Sequence, residues 1–260
     1  MTEVVVDRPA PGVRRLRLDG PDTLNALDEG CKDQLLTQLA ECAVDPGTRA
    51  VLLTGTGRAF CAGGDVRAMG ARSPVQTEAV LAKGRQITER LAAMPKPVVA
   101  AVNGLASGAG ANLALACDVL LAHERAWFQQ SFVKLGLVPD LGGTYLLARQ
   151  VGAHRAKEIL LSARRVDAEE AHRLGLVAQV HGDDLPDRAV IYAAGLARGA
   201  TVALGLTRTL VGRAVEGSLQ QALDAEGHAQ AVASSTQDHR AAVGAFLAKQ
   251  PLDDLDLTGE

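Results

Sequence analysis

Apolar residues along the chain fall into two rhythms, short unbroken runs and stripes spaced by three and four, and the two alternate through most of the sequence. Residues 13–18 (VRRLRL) read as an early strand, after which Asp28 caps a helical stripe carrying Cys31, Leu35, Leu39 and Cys42. Residues 49–54 (RAVLLT) are branched and apolar, as in a buried strand. A glycine-rich turn covers 55–64 and a polar stretch runs on to Val75. The stripe Val80, Ile87, Leu91 predicts a helix over 76–94, which Pro95 and Pro97 end. Residues 98–102 (VVAAV) are short and apolar enough for a central strand. The order then recurs as a glycine turn at 104–110, a helix over 111–117 and a strand over 118–122, without a strict sequence repeat. Further on, Asp167 and Glu170 stand at capping-box spacing before a helix that stops near Gly175, and 176–180 returns as a strand. Beyond Pro186 the strand rhythm is lost, and 187–198, 203–215, 218–234 and 238–249 read as helices. This shift divides the chain into a strand-containing core, 1–195, and a helical region, 196–260.

Composition narrows the class. A chain of 260 residues that is 47% hydrophobic and 22% charged can bury one large core. A formal charge of −3 supplies no basic field for nucleic acid or an anionic membrane, so small molecules and copies of the chain itself are the expected partners. Four cysteines without a CxxC pair, no His at metal-ligand spacing and no signal-peptide pattern predict a reduced, cytoplasmic protein with no metal. Residues 97–122 are apolar enough to suggest a membrane span, but Asn103, Ser107, Asn112 and several glycines interrupt them, and a buried strand, turn and helix fit better.

Candidate chemistry lies in two glycine turns, RAFCAGGD at 58–65 and NGLASGAGAN at 103–112, each after an apolar strand. N–H groups freed at such turns can hold an anion or a developing oxyanion. Neither turn has the Lys of a phosphate loop, and Leu113 stands where a dinucleotide fingerprint needs its last glycine. A single glycine turn is more often only a close-packed corner. Two of them after neighbouring buried strands favour a paired N–H site.

These turns resemble those of the crotonase superfamily, the enoyl-CoA hydratases and isomerases. The likeness extends through TLNAL at 23–27, RAFCAGGDV at 58–66, KPVVAAVNGLASGAGANLALACDV at 96–119, GLVPDLGGT at 136–144 and AHRLGLVAQV at 171–180, in the family's order and spacing. It implies an α/β fold, the crotonase (ClpP-like) spiral of stacked ββα turns with a C-terminal helical trimerisation region that forms trimers or dimers of trimers. It also implies acyl-CoA ligands, with coenzyme A arriving as part of the substrate and no cofactor permanently bound. Carried over residue by residue, the oxyanion donors are the N–H groups of Gly64 and Ala109. Ala26 and Leu27 fall where the family contacts the CoA moiety; Ala62, Asp65, Val66 and Phe132 complete the expected substrate lining, Asp65 with a structural role favoured.

The resemblance also raises a difficulty. Hydration of a 2-enoyl thioester needs a base and an acid, and the similar hydratases use two Glu residues where this chain has Asn112 and Phe132. Neither side chain exchanges protons near neutral pH. Asp140, in LVPDLGGT with no nearby cation, is the remaining acid of that segment. As a loop residue it could cap the next helix or bond turn amides. Apolar surroundings would raise its pKa, and the similar isomerases, those acting on 1,2-epoxyphenylacetyl-CoA and on Δ3,Δ2-enoyl-CoA, carry their acid here, which favours a proton shuttle. Asn112 is read as bonding backbone at its helix start, or as a polar contact to substrate or water. The expected activity is CoA-ester isomerisation. The alternatives are a hydratase or other lyase recruiting Asp140 and an ordered water, and a non-catalytic CoA-ester binding subunit. Ser131 has no His or Lys beside it, Cys61 reads as a small buried residue, and the six histidines are scattered without a partner pattern, as surface or helix-end residues.

Overall fold

A computed structural model describes residues 1–65, 70, 73–252, 255 and 257–259. Val66, expected in the substrate lining, lies outside them. The chain opens with an antiparallel pair, β1 (Glu3–Ala10) and β2 (Val13–Asp19), followed by α1 (Glu29–Val44), whose first turn Asp28 caps by accepting from the Cys31 N–H. A repeating unit follows. The long strand β3 (Ala50–Gly55) leads to the three-residue β4 (Ala59–Cys61) and then α2 (Pro74–Ala92). The next unit is β5 (Val98–Val102), β6 (Leu105–Ser107) and α3 (Ala109–Leu115), and a third begins with β7 (Val119–His123) and β8 (Trp127–Gln129). Then come α4 (Gly143–Val151), α5 (Ala153–Ser162), β9 (Arg165–Asp167), α6 (Ala168–Arg173), β10 (Gln179–His181) and four helices, α7 (Leu185–Arg198), α8 (Thr201–Ala214), α9 (Leu219–Ala233) and α10 (Gln237–Leu247).

Among the described residues the first strand of each unit joins a six-stranded sheet in the order β1-β2-β3-β5-β7-β10, parallel beyond the first pair. The second joins a four-stranded sheet in the order β4-β6-β8-β9. Each unit therefore climbs one step on both sheets before its helix, which is the expected spiral of ββα turns. Alternation along β3 serves two cores, since Val51 and Leu53 face one with α1, α2 and α3 while Ala50 and Leu52 face another with α7.

Several details differ from the sequence reading. Strand β1 and the three-residue β4, β6, β8 and β9 escaped it, α3 begins at Ala109 rather than 111, and α4 and α5 were not anticipated. Leu176 and Val177 fill the core as a turn, so the strand expected over 176–180 forms at Gln179–His181. Asp167 does cap α6 by accepting from Glu170 N–H, but the Glu170 carboxylate does not close a capping box: it takes Arg164 at 2.7 Å. Residue 195 falls inside α7, whose Ala193 and Ala197 belong to the sheet's second core, so the chain leaves the sheet between α7 and α8. Arg208 ties α8 back to the end of α2, donating to the carbonyls of Leu91, Ala92 and Met94 and to Asp118. No helix among the described residues is long and apolar enough to cross a membrane; the α7–α8 pair comes nearest but bends by 104°.

Candidate active site

Three segments meet where the two glycine turns come together. Asn25, wholly buried, anchors the first: its Oδ1 accepts the Gly20 N–H and its Nδ2 donates to the carbonyls of Thr56 and Ala59. With Leu24 and Asn25 both at positive φ, the chain bends so that Leu27 N–H bonds the Gly63 carbonyl at 2.7 Å and bridges to Gly64. Ala26 and Leu27 are thereby laid along the first turn. Ala62 N–H bonds the Leu24 carbonyl at 2.9 Å, and Asp65 sits half-buried beyond Gly64. Cys61 is fully buried, which pushes its thiol up to about 12 and keeps it protonated.

Close backbone approach joins the two turns. Gly63 has φ +94, and a Cβ there would lie 2.6 Å from the Ser107 carbonyl oxygen and 3.2 Å from the Ala109 nitrogen. Gly110 is equally confined, since its Cβ would come within 2.2 Å of the Cys61 oxygen. Gly108, at φ 51 and ψ −125, starts α3 without a side-chain cap and leaves Ala109 as its first residue. Among the described residues no turn or cap hydrogen bond uses the N–H of Gly64 or of Ala109. Both expected donors are thus on adjoining backbone. Beside them the Ser107 and Ser131 hydroxyls pair at 3.1 Å, and the buried Phe132 ring packs at Gly108.

Asp140 is held from two sides. Its carbonyl accepts the Gly143 N–H at 2.9 Å and the Asn112 Nδ2 at 2.9 Å, which fastens the loop to α3 three residues beyond Ala109. On the other side Thr88 of α2 donates to the Leu141 carbonyl at 3.1 Å, and Leu141 packs into the space that Gly84 leaves. Leu141 takes φ 46, an uncommon conformation for a side chain of its size, which this double clamp enforces. Helix α4 is capped by the backbone of Gly142 with no side chain, so the capping role open to Asp140 is not the one it plays. Its Oδ1 is buried and has no hydrogen-bond partner among the described residues. Burial pushes the carboxyl up to about 6, against a pull downward from the charge of Lys32 and from its own backbone N–H. Lys32, which pairs with Glu29 at 2.8 Å, is the cation absent from the local sequence: it arrives from α1, far away along the chain.

Asn112 is placed differently from both sequence readings. Its side chain is fully buried and bonds neither its own helix start nor an open site; it spans from the Asp140 carbonyl to the Gln130 Nε2, 2.7 Å from its Oδ1. Gln130 and Lys32 were missed because nothing in their local sequence marks them. A groove of ≈ 760 Å³ opens along α2 and the Asp140 loop, lined by Leu81, Arg85 and Thr88 on one side and Pro139 to Gly142 on the other. Of the histidines, His123 meets Asp183 and His172 the Val177 carbonyl, both away from these turns.

The enoyl-CoA hydratase/isomerase family pattern matches residues 9–253. The chain belongs to that family. The chain is 40% identical to the 1,2-epoxyphenylacetyl-CoA isomerase of Escherichia coli (strain K12), over 96% of this chain and 97% of that one. It is also 36% identical to the 2,3-dehydroadipyl-CoA hydratase of the same organism, over 97% and 98%. Among solved structures, an enoyl-CoA hydratase from Bacillus anthracis superposes with a TM-score of 0.94 at 31% identity, covering 99% of this chain and 100% of that one. An enoyl-CoA hydratase/isomerase from Cupriavidus metallidurans CH34 gives 0.92 at 36% identity, covering 97% and 96%. The protein is therefore an enzyme of the enoyl-CoA hydratase/isomerase superfamily that processes acyl-CoA, and its relatives include both isomerases and hydratases.

Proposed function

We propose that the protein isomerises CoA thioesters, shifting a double bond or rearranging a ring epoxide, with Asp140 carrying the proton. The observation that supports this most is the Asp140 carboxyl: a buried, unpartnered oxygen on a clamped loop, with a pKa raised to about 6. A group poised near neutrality can both take and return a proton. The N–H groups of Gly64 and Ala109 receive the thioester oxygen as negative charge builds on it. Asp140 removes a proton from one carbon, the thioester dienolate forms, and the same acid delivers the proton two carbons away. With a ring-epoxide substrate the same oxyanion site holds the thioester while the ring rearranges. No water has to be activated, which fits a site with Asn112 and Phe132 where a hydration pair would stand.

Ala26, Leu27, Ala62, Asp65 and Val66 are the residues we assign to the CoA and substrate lining beside Gly64, Ala109 and Phe132. Coenzyme A enters and leaves with the acyl group, and the helices after α7 assemble the enzyme as a trimer or a dimer of trimers. The hydratase reading keeps support from relatives named as hydratases, among them a 2,3-dehydroadipyl-CoA hydratase at 36% identity.

Asp140→Asn, assayed beside wild type on 3-enoyl-CoA and on epoxyphenylacetyl-CoA, separates these readings. Loss of about 10²–10⁴-fold in turnover is expected, the range for removing a general acid–base group. Full rate on both substrates would dismiss the proton shuttle. Formation of 3-hydroxyacyl-CoA from a 2-enoyl-CoA by the wild type would turn the assignment toward hydration.

A further inference from the structure

We propose that Gln130 is a positioning residue for the Asp140 proton shuttle, acting through Asn112; the inference rests on the isomerase reading above. Gln130 is 4% exposed and Asn112 fully buried, so neither amide is free to trade its partner for water. The hydrogen bonds run one way: Gln130 Nε2 donates to Asn112 Oδ1 at 2.7 Å, and Asn112 Nδ2 donates to the Asp140 carbonyl at 2.9 Å. A carbonyl can only accept, so the last bond fixes which way the Asn112 amide faces, and its buried Oδ1 then demands a donor from Gln130. Reversing either amide would set two acceptors against each other in a buried site.

Two further details show that the arrangement is held at the expense of other bonding. The Gln130 Oε1 is buried with no partner among the described residues, so this side chain is not oriented to satisfy itself; its Nε2 is the end in use. Gly143 leaves no slack on the other side, because a Cβ there would fall 2.2–2.4 Å from all three amide atoms of Asn112.

The placement of Gln130 gives the relay its purpose. It follows β8 directly, and the carbonyl of its neighbour Gln129 accepts the Gly108 N–H at 2.8 Å, holding the turn that precedes the Ala109 donor. One strand end thus grips both halves of the proposed chemistry, the oxyanion turn through Gln129 and the proton-carrying loop through Gln130 and Asn112. It sets the separation between the oxyanion donor and the carboxylate. Misplacement of reacting groups by about 1 Å can cost on the order of 100-fold in rate, which makes such a spacer consequential.

The test compares Gln130→Met with wild type and with Asp140→Asn, using 3-enoyl-CoA turnover and α-proton exchange in D2O. Gln130→Met removes the orphaned Oε1 and orphans the Asn112 Oδ1 instead, so the number of unpaired buried acceptors in the pair is unchanged and the melting temperature should barely move. The expected result is a fall in kcat of tenfold or more with KM within twofold of wild type. Gln130→Glu keeps the shape and, ionised, presents only acceptors to Asn112; it should show the same loss and covers the case in which the Met variant fails to fold. In an Asn112→Ala background, Gln130→Met should lower kcat by less than twofold further, because the route is already cut. Wild-type kcat in both Gln130 variants, with Asp140→Asn inactive, overturns this inference and leaves the isomerase reading standing. Additive losses in the double variant overturn the route through Asn112. Full activity of Asp140→Asn, or no exchange by the wild type, overturns the underlying reading itself.

Discussion

Whether a carboxyl keeps its proton depends on what surrounds each protonation state, and Asp140 is surrounded by little that welcomes charge. Burial pushes its pKa from 3.8 up to about 6, with Lys32 opposing. The base proposed to start isomerisation must be ionised, so kcat/KM should decline below about pH 6 and level off above it. A pH–rate profile whose acid limb lies near 4, the value of an ordinary carboxyl, would contradict this. The same shift acts on stability. Between the unfolded value near 3.8 and the folded value of about 6 the native state holds more protons than the unfolded chain. Stability contributed by this group is thus present below pH 4 and lost as pH rises through 6, to an extent of at most about 3 kcal/mol. Asp140→Asn should accordingly resist urea better than wild type at pH 7.5, with the advantage shrinking by pH 4.5. Equal denaturation midpoints at pH 7.5 would mean the carboxylate is well solvated in the folded protein. The sequence made Asp140 visible through its apolar surroundings, yet it could not show Lys32 or Gln130, which reach the site only when α1 and β8 are folded against it.

At the scale of elements, legibility followed length. Five-residue and longer apolar runs such as VVAAV announced β5, and the capped stripe after Asp28 announced α1. The three-residue β4, β6, β8 and β9 carry too few positions to show a period, and their pairing is imposed by the turns before them. β1 was missed because its residues, none of them fully buried, mix charge with valine and show no clean alternation. The glycine turns were legible as a place of close backbone approach, and Gly63 against Ser107 and Ala109 gives that approach its physical form. Their function can be tested within one element. Ala109 is the first residue of α3, a position where proline's missing N–H costs the helix nothing, so Ala109→Pro should fold. Turnover should nevertheless fall by about 10²–10³-fold, or about 2.7–4 kcal/mol, through the loss of one oxyanion donor. A variant with wild-type circular dichroism and undiminished turnover would show that the donor lies elsewhere.

Across the whole molecule, the core is complete but the helices after α7 are not. Helix α9 buries none of its residues; Leu219 is 76% exposed, and Val211 on α8 is 64% exposed. Grooves of ≈ 490 Å³ run between α8 and α9, partly lined by Leu210 and Leu223. An amphipathic helix with an uncovered apolar side is stable in water chiefly when something covers it. Yet α8 is firmly mounted: Arg208 holds the end of α2 and Asp118, and Arg49 bonds both Thr201 and the Gly199 carbonyl where the chain leaves the sheet. A rigidly mounted apolar surface suits self-association better than a mobile tail, which supports the assembly proposed above. Sedimentation velocity should therefore find a trimer or a multiple of it. Val211→Glu combined with Leu223→Glu should shift the protein to monomers while leaving the strand signal of the core unchanged, since neither side chain enters either core. A wild type that sediments as a monomer at micromolar concentration would remove these helices from any role in assembly. The consequence reaches the site, because α2, whose end Arg208 caps, is the helix whose Thr88 and Gly84 clamp Leu141 beside Asp140. Loosening α8 in a monomer should then lower kcat more than it raises KM.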